Sequence, residues 1–221
     1  MAQTKANFTF EENSDGFHLF RNGKRLNTPQ GIPLVLPNRR HVEQTIEQLQ
    51  EQALEAPFYR LMSFATDIHR QATQDELLEH FETDLLCYFT PAPSDLAKLQ
   101  QQRWQPLIAW AEELGIAPIK TTQNTSPITQ PETAKKALKK HLEKLSNREL
   151  VGTFVGGKIT SSVLTGLALA KQHITADQAH IIAHTDELYQ QQRYGEDAEL
   201  TKNLEANKEN LKQIEEFLKL G

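Results

Sequence analysis

Over the first 36 residues the apolar positions come in short alternating runs, and beyond residue 57 they recur at helical spacing almost to the end. Phe8-Thr9-Phe10, Phe17-His18-Leu19-Phe20 and Leu34-Val35-Leu36 are rich in aromatic and branched residues, the composition of half-buried strands. Between them stand Asn13-Ser14-Asp15-Gly16 and Asn22-Gly23, which accept the positive φ of tight hairpins. The pattern predicts a small antiparallel meander, too thin to stand uncovered. The covering helix is predicted after Pro37-Asn38, where Val42, Ile46, Leu49 and Ala53 fall on one face.

From Pro57 onward everything reads helical. Leu61, Phe64, Ala65 and Ile68 make one apolar face, and Thr73-Gln74-Asp75-Glu76 reads as a capping box opening the next helix, with Leu77, Leu78 and Phe81 inward. Ser94 is predicted to cap a segment with the stripe Leu96, Leu99, Leu107, Trp110 and Leu114, closed by Gly115. Pro106 lacks the backbone donor and is expected to kink or break it. Residues 116–130, with Pro118 and Pro127, read as a loop, and helices resume at Pro131 and near Ser146. Thr175-Ala176-Asp177-Gln178 is a second capping box, and a last helix is expected from about 197 to 220 through Leu200, Leu204, Leu211, Ile214 and Leu218. The most apolar stretch, 150–170, is interrupted by Lys158, Thr160, Ser161 and Ser162, so it reads as a buried helix pair and not as a membrane span. The expected fold class is α+β: a small N-terminal antiparallel β/α domain over 1–56, then a larger all-helical C-terminal domain over 57–221.

Composition narrows the function classes. The 221 residues carry 24 Lys plus Arg against 29 Asp plus Glu, a net charge of −5 that argues against a nucleic-acid partner. Cys87 is the only cysteine, so no internal disulfide can form, as suits a reducing compartment. No apolar leader and no Arg-rich, acid-free segment opens the chain. A bacterial cytoplasm is therefore expected, or the mitochondrial matrix for a trimmed eukaryotic chain.

The motifs that suggest catalysis each lack a necessary part. Gly152-Thr153-Phe154-Val155-Gly156-Gly157-Lys158 follows P-loop spacing, but Ile159 stands where a hydroxyl should hold magnesium, and the residues before it read as capped helix instead of strand. The glycines are expected to mark a break between two packed helices. His180 and His184 share a helix face, but Ile181 occupies the position of the zinc-protease glutamate, and no second cysteine is present to complete a structural site. Cys87 lies in Leu85-Leu86-Cys87-Tyr88-Phe89, where apolar surroundings would raise the thiol pKa. The sequence therefore yields no catalytic residue, no metal ligand, no cofactor and no small-molecule substrate.

Two charge features remain. Residues 135–148 carry Lys135, Lys136, Lys139, Lys140, Lys144 and Arg148 against Glu143, the pattern of a solvated helix face. Residues 186–199 carry Asp186, Glu187, Glu196, Asp197 and Glu199 against Arg193, with Tyr189, Tyr194 and Gly195 interleaved. Aromatics beside a cluster of like charges are enriched where proteins grip one another.

Three stretches together resemble one family. They are Asp84-Leu85-Leu86-Cys87-Tyr88 continuing through Pro93, Leu99-Gln100, Trp104, Pro106-Leu107-Ile108 and Trp110-Ala111; Ser161-Ser162-Val163-Leu164-Thr165-Gly166-Leu167-Ala168-Leu169-Ala170; and Asp186-Glu187-Leu188-Tyr189-Gln190 with Tyr194-Gly195-Glu196-Asp197. The chain is similar to the F-type ATP synthase assembly chaperones of the ATP-twelve type, which bind the unassembled alpha subunit. Gly23-Lys24 with Pro33-Leu34-Val35-Leu36-Pro37 resembles the family's N-terminal signature. Departures stand at Gln48, Phe89, Gln105 and Tyr194, where the family pattern has other residues. The resemblance implies a chaperone without membrane insertion, whose partner is the ATP synthase alpha subunit. It places the partner-binding residues at Asp186 first, then Glu187, Tyr189, Tyr194, Glu196 and Asp197. The competing class is a helical adapter with an unrelated partner.

Overall fold

The computed structural model describes residues 6–195 and 197–219 and is α+β, as the pattern predicts. β1 (Phe8–Asn13) and β2 (Gly16–Arg21) form a hairpin in which Asn13 faces Gly16 across a two-residue turn. β3 (Lys24–Arg25) follows through Asn22-Gly23, both at positive φ (52° and 76°), the conformation a right-twisted two-residue hairpin demands. β4 (Val35–Leu36) pairs antiparallel with Phe17 and His18, so β3 and β4 share the edge of β2 that β1 leaves open. Gly16 has φ +131°, and a Cβ there would lie 2.7 Å from the Leu36 carbonyl oxygen. The approach of β4 requires that glycine.

The chain divides into two compact units. One comprises the residues to His69 together with those from Glu216 onward. It contains the sheet, α1 (Arg39–Gln52) and α2 (Pro57–Asp67), so it runs past the boundary expected at 56/57. The physical reason is packing: Phe58, Tyr59, Leu61 and Met62 of α2 are buried with Leu19, Leu34, Leu36, Val42 and Leu49. The ring of Phe58 meets Phe217 edge-on at 5.8 Å, and Gln48 accepts the Phe58 N–H at 2.8 Å.

The second unit, Arg70–Glu215, is helical. It holds α3 (Arg70–Phe81), α4 (Asp95–Glu113), α5 (Glu132–Lys144), α6 (Asn147–Thr160), α7 (Val163–Ala170), α8 (Ala176–Ala183), α9 (Thr185–Tyr194) and most of α10 (Ala198–Lys219). Residues 116–130 contain no helix; they are tied down by a bridge between Thr122 and Tyr88 and by hydrogen bonds from the Ile119 N–H to Glu112 and from the Gln130 N–H to Glu82. Two boundaries differ from the sequence reading. Thr73 and Gln74 do not open α3 but lie buried inside it, because Arg70 holds the helix start by donating to the Leu145 carbonyl (2.8 Å) and Asn147 Oδ1 (2.7 Å). Pro106 does not break α4, since its missing donor falls on the exposed side and the helix runs through it. The box expected at Thr175 is formed, and the helix start near Ser146 is closed by a further box with Glu149.

α6 and α7 make the closest helix pair. Gly152, Gly156 and Gly157 lie inside α6, so the P-loop-like string is a packing surface and not the expected break, which comes at Ser161 (φ 51°). A Cβ on Gly166 of α7 would stand 2.4 Å from the Thr153 oxygen and 2.6 Å from the Gly157 nitrogen.

At the head of α7 sits Asp84, fully buried. One carboxylate oxygen accepts the Leu86 N–H and the other the Leu164 N–H, each at 3.0 Å. Burial raises its pKa to about 6 against the pull of those hydrogen bonds.

Two predictions follow from this packing. Gly166→Ala should cost about 3 kcal/mol or more in urea unfolding, because backbone atoms of α6 occupy the space a methyl needs. For Asp84, the folded chain holds a proton between pH 3.8 and about 6 that the unfolded chain releases. Its contribution is therefore full below pH 3.8 and is lost as pH rises toward 6, by about 3 kcal/mol. Subtracting the stability of Asp84→Asn from wild type at each pH isolates that fall, and a flat difference would contradict it.

Candidate functional site

The candidate surface is built on α4 and α9. Ser94 caps α4, its Oγ accepting the Ala97 N–H at 3.0 Å, and Asp95 stands in the first turn, where a negative charge suits the helix dipole. The buried face of α4 is Gln100, Trp104, Leu107, Ile108 and Ala111, a stripe rotated from the one the apolar spacing suggested; Leu96, Leu99, Trp110 and Leu114 are only half-buried. Two polar groups pull the helix round. The Trp104 indole N–H donates to the Ile182 carbonyl at 2.9 Å, and the ring packs on Phe89 at 5.2 Å. The Gln100 side chain accepts the Thr90 N–H at 2.7 Å and donates to Asp186 Oδ1 at 2.8 Å.

Asp186 and Glu187 occupy the first turn of α9 but turn to different neighbours. Asp186 is half-buried against α4, and burial holds its carboxyl above the ordinary range, opposed by the Gln100 hydrogen bond and assisted by the negative charge of Glu187. Glu187 lies 3.9 Å from His184 Nδ1, and the imidazole holds its pKa low despite burial. At the other end of α9, Arg193 donates to the Tyr189 hydroxyl at 2.9 Å and stands 5.9 Å from the centroids of both the Tyr189 and Tyr194 rings. Tyr194 is 78% exposed, the most open of the large apolar side chains. α9 ends at Gly195 (φ 99°), and Asp197 caps α10, its Oδ1 accepting the Leu200 N–H at 2.8 Å. Glu196 lies outside the described residues.

The six sequence candidates therefore separate. Asp186 faces α4, Glu187 faces α8, Tyr189 and Tyr194 flank Arg193, and Asp197 is occupied as a cap. Sequence reasoning missed Gln100 as the anchor of Asp186 and Arg193 as the clamp between the two tyrosines. Gln100 lies four before Trp104, on the face that Trp104 buries, but Gln101, Gln102 and Arg103 beside it hid it among solvated polar residues. Two shallow depressions border this face. One, of about 790 Å³, lies along α4 and the 121–123 segment with Phe89 on its wall. The other, of about 450 Å³, lies between the start of α4 and Tyr189, Arg193 and Tyr194.

The other candidate chemistry is taken up in packing. Cys87 is fully buried, burial pushes its thiol up, and Gln130 donates to Sγ at 3.3 Å. His180 and His184 have ring centroids 4.9 Å apart, and burial together with the positive charge of His184 pushes His180 down to about 4. Among the described residues no group of three or more His, Cys, Asp or Glu could hold a metal, and no helix is long and apolar enough to cross a membrane. On α5 the buried positions are Ala134, Leu138 and Leu142, which leaves Lys136, Lys140 and Lys144 on the exposed side.

A partly buried carboxylate and an exposed aromatic on one helix have the character of a protein-binding surface. Residues 3–112 match the model of the ATP12 chaperone protein family. The structure is similar to that of Atp12 from Paracoccus denitrificans, with TM-score 0.85 and 26% identity over 98% of this chain and 97% of that one. An aspartate-to-lysine mutant of P. denitrificans Atp12p gives TM-score 0.86 at 26% identity, over 99% of this chain and 97% of that chain. The Atu1473 protein of Agrobacterium tumefaciens gives 0.83 at 26%, over 96% of this chain and 84% of that one. The chain belongs to the ATP12 chaperone family, whose role is in ATP synthase assembly.

Gln100 is testable as the anchor. Gln100→Glu places a second carboxylate at hydrogen-bond distance from Asp186. Stability at pH 7 should fall by about 3 kcal/mol and recover toward pH 5, where the pair can share one proton. Urea midpoints at the two pH values check it; equal losses at both would show that Gln100 does not fix Asp186.

Proposed function

We propose that this chain is a chaperone, not a catalyst, that holds the unassembled alpha subunit of the F-type ATP synthase through the α9 face in the bacterial cytoplasm. Bacterial structural relatives support that location. The observation that carries the binding face is the half-buried Asp186, fixed at 2.8 Å by Gln100, on the helix that also presents the exposed Tyr194. A carboxylate held in one geometry meets a basic partner group with little further ordering cost, while Tyr194 offers a large apolar face at low entropy cost. Glu187 adds negative charge that speeds encounter without deepening the grip. Such a contact suits a protein that must later release its client.

The test separates charge from architecture. Asp186→Asn keeps an oxygen for Gln100 and removes only the charge; its thermal midpoint should stay near wild type while affinity for alpha subunit falls about tenfold. Asp186→Lys should lower affinity about a hundredfold or more, through like-charge repulsion of a basic partner group. Wild-type chaperone co-expressed with alpha subunit should keep it soluble and co-elute with it. Failure of wild type to do so would favour an adapter with another partner. Co-elution unchanged in both Asp186 variants would remove this residue from the interface. Because burial raises the Asp186 pKa, binding should also weaken on acidification earlier than an ordinary carboxylate would allow.

A further inference from the structure

A second groove, of about 330 Å³, lies on another face of α4, against α8. Its walls are apolar: Pro106 and Leu107 from α4, Ile181 and Ile182 from α8, and Ile174 before it. Ile181 is 42% exposed, a branched side chain turned outward. Arg103, His173 and Gln178 complete the lining, Arg103 as its charged member. Its Nη1 is buried without a hydrogen-bond partner, and no other nitrogen of the Arg103 guanidinium makes a hydrogen bond or ion pair among the described residues. No carboxylate lines the groove. Burial lowers the Arg103 pKa, the mark of a cation partly stripped of water without compensation.

The walls are held in place. The Trp104 indole N–H reaching the Ile182 carbonyl ties α4 to α8, and His173, which lines the groove, stacks on Trp110 at 4.5 Å and 10°. The volume is at the small end of ligand sites, with room for one or two aliphatic side chains and none for a helix. A lone unpaired cation beside such walls is complementary to a carboxylate next to an aliphatic group.

We infer that this groove receives a segment of the client in which a large aliphatic side chain stands beside a carboxylate, the aliphatic group against Ile174, Ile181 and Ile182 and the carboxylate on Arg103. The inference rests on the chaperone reading and adds to it a second contact, remote from Asp186 in chemistry: an acid is recognised here, a base there.

The full chain, labelled at isoleucine methyls, can be titrated with N-acetyl-leucyl-glutamate amide. Saturable shifts are expected at Ile174, Ile181 and Ile182, about tenfold weaker with the glutamine counterpart. In Arg103→Gln the two dipeptides should bind alike. Shifts confined to other isoleucines, no saturable shift, or equal binding of the charged and neutral dipeptides by wild type would overturn the inference. On the client side, Ile181→Asp should keep the wild-type thermal midpoint and lose alpha subunit in co-elution; retention of alpha at wild-type level would overturn it. If wild type itself fails to hold alpha, the chaperone reading fails, and the dipeptide titration still decides the groove.

Discussion

Asp84 holds together parts of the chain eighty residues apart. Its two oxygens take the N–H groups of Leu86 and Leu164, and the Leu85 N–H donates to the Ser161 carbonyl at 2.9 Å. A carboxylate at zero exposure is costly unless each lone pair has work, and here backbone donors at the head of α7 supply it. The same contact sets the turn between α6 and α7, because Ser161 and Ser162 must stand where Asp84 can reach the next helix. Once that turn is fixed, α7 lies so close on α6 that only glycine fits at 166.

The consequences run outward through α4. This helix packs on α7, α8 and α9, and its position is set by polar anchors as much as by burial. Trp104 could fill its space as a phenylalanine would, but its N–H fixes the height of α4 against α8. Gln100 then does two jobs with one amide, closing the Thr90 backbone and steadying Asp186. A carboxylate alone at that depth would protonate or swing outward. Tied to a buried amide, it is held in one place, which the proposed binding surface needs and a mobile surface acid does not provide.

Much of this is legible in sequence where local chemistry dictates structure. The hairpin residues Asn22-Gly23, the helix start near Ser146, the box at Thr175 and the interrupted run 150–170 each carry their own physical cause, and each is realised. The failures share another cause, since tertiary contacts outweigh a local signal. Thr73 looks like a cap until Arg70 is seen to be held from 75 residues away. Pro106 looks like a breaker until its missing donor falls on the exposed side. The stripe of α4 was misplaced because Gln100 is polar, and apolar spacing cannot count a residue that is buried for its hydrogen bonds. For the same reason the candidate surface was legible as a segment, 186–199, but not as an arrangement. Periodicity places Asp186 and Glu187 side by side; only the packing of α4 and α8 turns them apart.

That divergence bears on how a chaperone can hold a client and still let it go. A patch with all its acids aligned would attract basic surfaces broadly and screen poorly at cellular salt, since exposed charges lose much of their reach beyond about 8 Å. Here Glu187 is partly spent on His184, Asp197 on a helix cap and Arg193 on two tyrosine rings. Asp186 stays half-exposed and is fixed by one hydrogen bond from Gln100. On the proposed reading, a grip concentrated on one fixed carboxylate and one exposed ring depends on geometry more than on total charge. It can be specific in register and still be given up when a partner that buries more surface arrives, because affinity among related complexes is set mainly by how fast they come apart.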